Sequence, residues 1–276
     1  MEQERSEMLA WKIRRKGMDM VHDAHASHIA GVLSCADIMA VLYSDIVKYD
    51  CDNPGWEERD RVVLSKGHSG VAMYIALAEA VFFPNSVLDT YGKNGSRLSC
   101  HISHKGVPGV EVSTGSLGHG VCIACGMALH AKLKGQKHHV YAIVGDGECN
   151  EGSVWEMAML SAQKKLNNFT VIIDRNQMQA MGYTKDIINM DSMAKRWNVF
   201  GWKVIEVDGH NHDELRMALK EESDDRPKLI IADTIKGKGV SFMENNLLWH
   251  YRDPQGEYYE AAVKELEEKK PKGQTI

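Results

Sequence analysis

The chain has 276 residues, with 33 Lys and Arg against 38 Asp and Glu, a formal charge of −5, 43% hydrophobic and 26% charged residues. That balance describes a globular chain and excludes a disordered one. There is no basic stripe to serve as a footprint for nucleic acid and no apolar run near the roughly 20 residues of a membrane helix. The opening Met1-Glu2-Gln3-Glu4-Arg5 is unlike a signal peptide, so a cytoplasmic setting is expected. Cys35, Cys51, Cys100, Cys122, Cys125 and Cys149 are then expected as reduced thiols. Cys122 and Cys125 have the spacing of half a zinc or redox site. No second pair follows, and they read as packing residues of a helix.

Residues 7–24 read as a helix. Ser34-Cys35-Ala36-Asp37 has the form of a capping box ahead of the apolar run Ile38–Tyr43. Residues 50–60 are polar, with Pro54 and Gly55, and predict a loop. Arg61–Ser65 is a short β-type run, followed by Lys66-Gly67-His68-Ser69-Gly70 and a helical stretch from Val71 to Val81. Residues 92–120 are dense in glycine, which suits backbone lying close to a ligand, and a helix follows over Val121–Lys134. The apolar runs Val140–Val144, Phe169–Ile173, Lys203–Val207 and Lys228–Ala232 alternate with helical patterns at 153–166, 189–200 and 213–223. Strands apolar on both faces and separated by helices predict an α/β fold, a parallel sheet of five or six strands covered on both sides. No Gly/Ser linker interrupts it, so residues 1–276 read as one domain. Its charged tail, residues 260–276, is expected to be a surface helix that frays.

The strongest chemical signal is Gly145-Asp146-Gly147 at the end of a strand, with Asn176 at the end of the next. In a right-handed strand–helix–strand unit both ends emerge at one edge of the sheet. One carboxylate and one amide oxygen form a hard, incomplete ligand set that suits Mg2+ or Ca2+, with the remaining positions left to water and phosphate oxygens. Gly145 and Gly147 let backbone approach the anion. Taken by itself, Gly-Asp-Gly is also compatible with a plain strand-ending turn.

Together these residues resemble the thiamine diphosphate signature, and the chain resembles the N-terminal half of transketolase, in particular the separate N-terminal subunit of split transketolases. The resemblance covers about residues 8–250. Its motifs are Ser27-His28, Ser65-Lys66-Gly67-His68, Gly95-Ser96-Arg97, His101, Pro108–Gly118, Gly145–Gly152, Val207-Asp208-Gly209-His210 and Thr234–Gly239, in the family's order. It implies a thiamine diphosphate-binding domain in which Asp146, Asn176 and the Met178 carbonyl ligate Mg2+ (or Ca2+ or Mn2+). Gly145 and Gly147 would lie at the diphosphate, and Gly115 and Leu117 would line the cofactor. His28, His68, His101 and His250 would face the reacting centre, with His68 and His250 also touching cofactor. Glu151 would join an acidic network linking two active sites. The reaction implied is transfer of a two-carbon ketol unit from a ketose phosphate to an aldose.

Several positions depart from the family's pattern: Ile29-Ala30 after His28, Ser99-Cys100 before His101, His119 between two glycines, Ala180-Met181 near the metal segment, and Tyr251 after His250. These departures allow a non-standard sugar. The family's activating glutamate and most sugar-phosphate groups belong to a second domain, so a separate pyrimidine-binding C-terminal subunit is expected, in a heterotetramer. Three other readings remain open. One is half of a thiamine diphosphate enzyme acting on a 2-oxo acid, like 1-deoxyxylulose-5-phosphate synthase or the α chain of a dehydrogenase. The others are a non-catalytic nucleotide-binding module and a regulatory subunit without activity.

Overall fold

The computed structural model describes residues 2–272. Five strands, β1 (Arg61–Leu64), β2 (Val140–Gly145), β3 (Phe169–Arg175), β4 (Lys203–Asp208) and β5 (Lys228–Asp233), form one parallel sheet in the order β1-β2-β3-β5-β4. The apolar runs are continuous because alternate residues enter two different cores. Ala142, Val144, Val171, Ile173, Leu229 and Ile231 point to one side. Ile143, Ile172, Ile230 and Ala232 point to the other. β4 is one of the two edge strands and is mostly half-buried or exposed, which matches its polar residues Lys203, Glu206 and Asp208.

On the first side lie α5 (His119–Lys134), α6 (Gly152–Gln163) and α8 (Met193–Val199), around Trp197 and Trp202, whose rings meet edge to face at 4.7 Å. On the other lie α1 (Glu2–Asp23), α2 (Ile29–Ser34), α3 (Ala36–Val41), α4 (Gly70–Glu79), α9 (His212–Lys220) and α10 (Glu257–Glu268). A one-turn helix, α7 (Thr184–Ile187), follows β3.

Three expectations are corrected. Ser34 does not cap a helix: it ends α2, and its hydroxyl donates to Asp174 at 2.7 Å, with the Gly31 carbonyl 3.1 Å away as the alternative acceptor. Asp37 likewise turns away from the N-terminus of α3 toward Arg14, His210 and His212. The stretch 189–200 is not one helix, because Ser192 adopts a left-handed φ of 64° and helix resumes only at Met193. The tail is more than a surface helix: Ala262 and Leu266 of α10 are buried, and the Leu266 carbonyl accepts from the Trp11 indole at 2.8 Å. Residues 273–276 lie outside the described residues. Cys122 and Cys125 sit on α5, with Cys122 donating to the Gly118 carbonyl and Cys125 bonded to the Ser161 hydroxyl.

Candidate active site

Strand register brings the candidate ligands together. Gly145 pairs with Asp174 across β2 and β3, so Asp146 and Asn176 leave adjacent strand ends. The Asp146 carboxylate accepts from the Gly147 amide at 2.8 Å and the Gln177 amide at 2.6 Å, which lays it against the exit of β3. The Asn176 side-chain oxygen accepts from the Met178 amide at 3.2 Å. Asp146 and Asn176 are 3% and 6% exposed. Burial, with the nearby Asp174 charge, pushes the Asp146 carboxyl up to about 6. A buried carboxylate whose desolvation outweighs the nearby Lys66 charge, beside an amide oxygen and a backbone carbonyl, fits a hard divalent cation. The Met178 carbonyl accepts from Lys236 Nζ at 3.0 Å and keeps its second lone pair.

Behind the ligands lies a charge pair to which the sequence reading gave no role. Lys66 follows β1 and is ion-paired with Asp174 of β3; the two are 1% and 0% exposed. Ser34 and Thr234 hydroxyls also donate to that carboxylate. Burial opposes both charges, but the pairing wins: the Asp174 carboxyl is held below its usual range and the Lys66 ammonium above. A lysine directly after an apolar strand was the available signal.

Four histidines from distant segments converge above this floor. His28 sits in left-handed backbone, φ 72°, at the start of α2, and its amide donates to the His250 carbonyl at 3.0 Å. His68 lies in the turn Gly67–Ser69 after β1, and His250 ends the turn Leu247–His250. The exposed His101 is backed by Gly115, where a Cβ would come within 3.1 Å of the imidazole ring. Ring centroids of His28 lie 5.3 Å from His68, 5.5 Å from His101 and 5.1 Å from His250. Tyr251, 63% exposed, meets His28 at 5.6 Å and His250 at 4.6 Å.

Three of these imidazoles, His28, His68 and His250, are held neutral at physiological pH. Burial and the neighbouring His101 and Lys236 push His28 down to about 4. Burial and Lys236 push His250 to about 3, and burial and Lys66 hold His68 well below its ordinary value. Lys236, itself lowered to about 8 by burial and Lys66, directs its ammonium at Met178 O, Gln179 O (3.3 Å) and His250 Nδ1 (2.9 Å). Three donors meet three acceptors, so His250 Nδ1 carries no proton and Nε2 does.

The surrounding loops are tied by Glu148, a second residue without a role in the sequence reading. Its buried carboxylate accepts from the Ser65 hydroxyl (2.5 Å), the Gly118 amide (2.9 Å) and the Gly145 amide (3.2 Å). That joins the ends of β1 and β2 to the glycine-rich loop carrying Gly115 and the half-buried Leu117. Glu151 stands apart, exposed at the start of α6.

The sequence matches the family described as "Transketolase, thiamine diphosphate binding domain" over residues 5–264. The chain belongs to the transketolase family. It is 41% identical over 271 residues to an apulose-4-phosphate transketolase subunit of Phocaeicola vulgatus, covering 98% of this chain and 96% of that one. To 6-deoxy-6-sulfo-D-fructose transketolase subunit SqwG of a Clostridium species it is 40% identical over 257 residues, 92% and 94% of the two chains. Transketolase from Campylobacter jejuni superposes with a TM-score of 0.89 at 30% identity, over 95% of this chain. This transketolase-family chain spans only 42% of that structure's length, while matching nearly the whole of the two subunits.

Proposed function

We propose that this chain is the diphosphate-binding subunit of a two-chain transketolase that uses thiamine diphosphate and a divalent metal, Mg2+ first. It would transfer a two-carbon ketol unit from a ketose bearing a phosphate or similar anionic group to an aldose. The observation that carries the reading is the cluster of four histidines on the carboxyl edge of the sheet, beside Asp146 and Asn176. Asp146, Asn176 and the Met178 carbonyl would hold the metal, and Gly147 would lie against the diphosphate. Bound thiamine diphosphate would supply the carbon nucleophile and the electron sink for breaking a carbon–carbon bond.

The chain's own groups do the rest. Each neutral imidazole offers one donor and one acceptor, which matches substrate hydroxyls that both give and take protons. His250 presents its Nε2 proton, since Nδ1 is occupied by Lys236. His28 Nδ1 is engaged by the Ser27 hydroxyl at 2.8 Å, which leaves Nε2 for substrate.

Relatives named as subunits, matched over nearly their whole length, support a separate pyrimidine-binding partner. A heterotetramer follows if the cofactor sits between two unlike chains and the pair dimerises. The names of the two relatives carry different sugars, so the reading stops at a ketose class. Tyr251, beside His28 and His250, and Cys100, next to His101 in sequence, are this chain's own features near the histidines.

The test is reconstitution with a candidate pyrimidine-binding chain. Ketose-dependent turnover that needs both chains, thiamine diphosphate and Mg2+ is expected. Full turnover by this chain alone would exclude the two-chain reading, and turnover of pyruvate in place of any ketose would favour the 2-oxo acid alternative.

A further inference from the structure

A second buried charge cluster lies beside the site and has no part in the chemistry above. The Asp37 carboxylate of α3 receives the Arg14 guanidinium of α1 at 3.0 and 2.5 Å, His212 of α9 at 3.0 Å and His210 at 2.6 Å. His212 is bound on its other side by the Ser6 hydroxyl at 2.8 Å. His210 differs, because its other nitrogen leaves the cluster: Nε2 accepts from the Ile235 amide at 2.8 Å. An accepting nitrogen carries no proton, so Nδ1 holds it and donates to Asp37. The tautomer is fixed from both sides.

Ile235 stands between two residues that already belong to the site. Thr234 donates its hydroxyl to Asp174, under the metal ligands. Lys236 directs its ammonium at the Met178 and Gln179 carbonyls and at His250 Nδ1. Three consecutive residues are therefore pinned by three separate groups, and His210 holds the middle one through its main chain. Without that acceptor the Ile235 amide loses its partner, and the backbone between the Thr234 and Gly237 amides, which stay bonded to the Arg175 and Ala30 carbonyls, loses its central anchor beside Lys236.

We propose that His210, oriented by Asp37, is a positioning residue of this active site. It sets the backbone at Ile235, hence the placement of Lys236, hence the proton of His250 on Nε2. The proposal rests on the reading of the four-histidine cluster as the reacting centre. His210 itself touches none of the reacting groups.

The test uses the full chain labelled with 15N-histidine, as wild type, His210→Leu and His210→Gln, with melting temperature recorded for each. Gln retains a donor for Asp37 and an acceptor for the Ile235 amide. Wild type is expected to show His250 as the Nε2–H tautomer. His210→Leu should move both His250 nitrogen signals toward the average of the two tautomers, and His210→Gln should restore them. In the reconstituted enzyme, His210→Leu should lower kcat roughly 10- to 100-fold with KM for the ketose nearly unchanged, and His210→Gln should recover most of the loss. Unchanged His250 signals in His210→Leu would overturn the proposal, as would activity losses that follow melting temperature alone. If His210→Leu does not fold, the wild type decides: coupling across the Ile235 N–H to His210 Nε2 bond supports the proposal, and its absence overturns it. A fixed His250 tautomer in an enzyme pair that turns over no ketose would refute the proposed function and leave the positioning intact.

Discussion

Replacing Lys66 by Met isolates the buried ion pair beneath the site. Methionine is unbranched and apolar, so much of the packing along the lysine stem is kept while the charge is lost. Asp174, with no exposed surface, would keep the Ser34 and Thr234 hydroxyls and lose its counter-charge. Removing one member of a buried pair costs roughly 3–5 kcal/mol, and the two remaining hydroxyl bonds put this case near the low end, about 3 kcal/mol. Against a total stability of roughly 5–15 kcal/mol the chain should still fold. Adding Asp174→Asn should return roughly 1–3 kcal/mol, the coupling of the double-mutant cycle.

The pH dependence gives an independent check on the same pair. In the wild type, burial raises the Asp174 carboxyl but Lys66 more than offsets it. Its contribution is therefore complete above the unfolded value of about 3.9 and is lost as pH falls through the folded one. In Lys66→Met burial acts unopposed by the lysine, the folded state takes up the proton more readily, and the variant gains stability relative to the wild type as pH falls from 7 to 5. Urea unfolding at both pH values measures the gap, which should narrow at pH 5. A variant within about 1 kcal/mol of wild type at pH 7, or a gap independent of pH, would refute the reasoning.

Asp146→Asn should abolish the rise in melting temperature that Mg2+ and thiamine diphosphate together give the wild type, as seen by differential scanning fluorimetry. An undiminished rise would remove Asp146 from the metal site. At Gly67 a Cβ would lie 2.5 Å from the Thr114 carbonyl carbon, so Gly67→Ala should cost roughly 1–3 kcal/mol in urea unfolding and displace His68 from its neighbours. His139 is pushed down to about 3 by burial and the Lys228 charge. The unfolded chain therefore binds its proton first as pH falls below about 6.5, and stability drops by roughly 2 kcal/mol between pH 6.5 and 5; His139→Gln should flatten that slope.

The sheet was legible because its inner strands are buried on both faces and so are apolar without interruption. Val140–Val144 and Phe169–Ile173 carried the prediction, and their parallel pairing places Asp146 beside Asn176 as strand–helix–strand geometry requires. The order of β5 and β4 was not readable, since it is decided by which strand's outer face finds a helix and not by local pattern. Ser34 and Asp37 misled for a related reason. A local cap competes with buried partners, and Asp174, Arg14 and the two histidines supply stronger ones than the α3 amides. His28, His68, His101 and His250 are separated by up to 149 positions (250 − 101) between neighbours in the chain, so no spacing rule joins them; only the resemblance did. The lysines were missed because buried charge is invisible until its partner is placed.

Those lysines explain why a histidine cluster serves this site better than a more basic one. Lys66 and Lys236 both lower His28, His68 and His250, and burial lowers them further. Imidazolium rings as close as His28, His68 and His250, 5.1 to 6.0 Å between centroids, would repel one another and each carry two donors and no acceptor. Kept neutral, His28, His68 and His250 each retain an acceptor as well, and they can meet a run of sugar hydroxyls whichever way the protons point. The positive charge is held instead by the ammonium groups behind the rings. There it meets Asp174 and the backbone carbonyls, and it fixes the His250 tautomer. The same separation of roles accounts for the layered order of the site, with ion pairs at the floor, main-chain acceptors above them and uncharged imidazoles at the mouth.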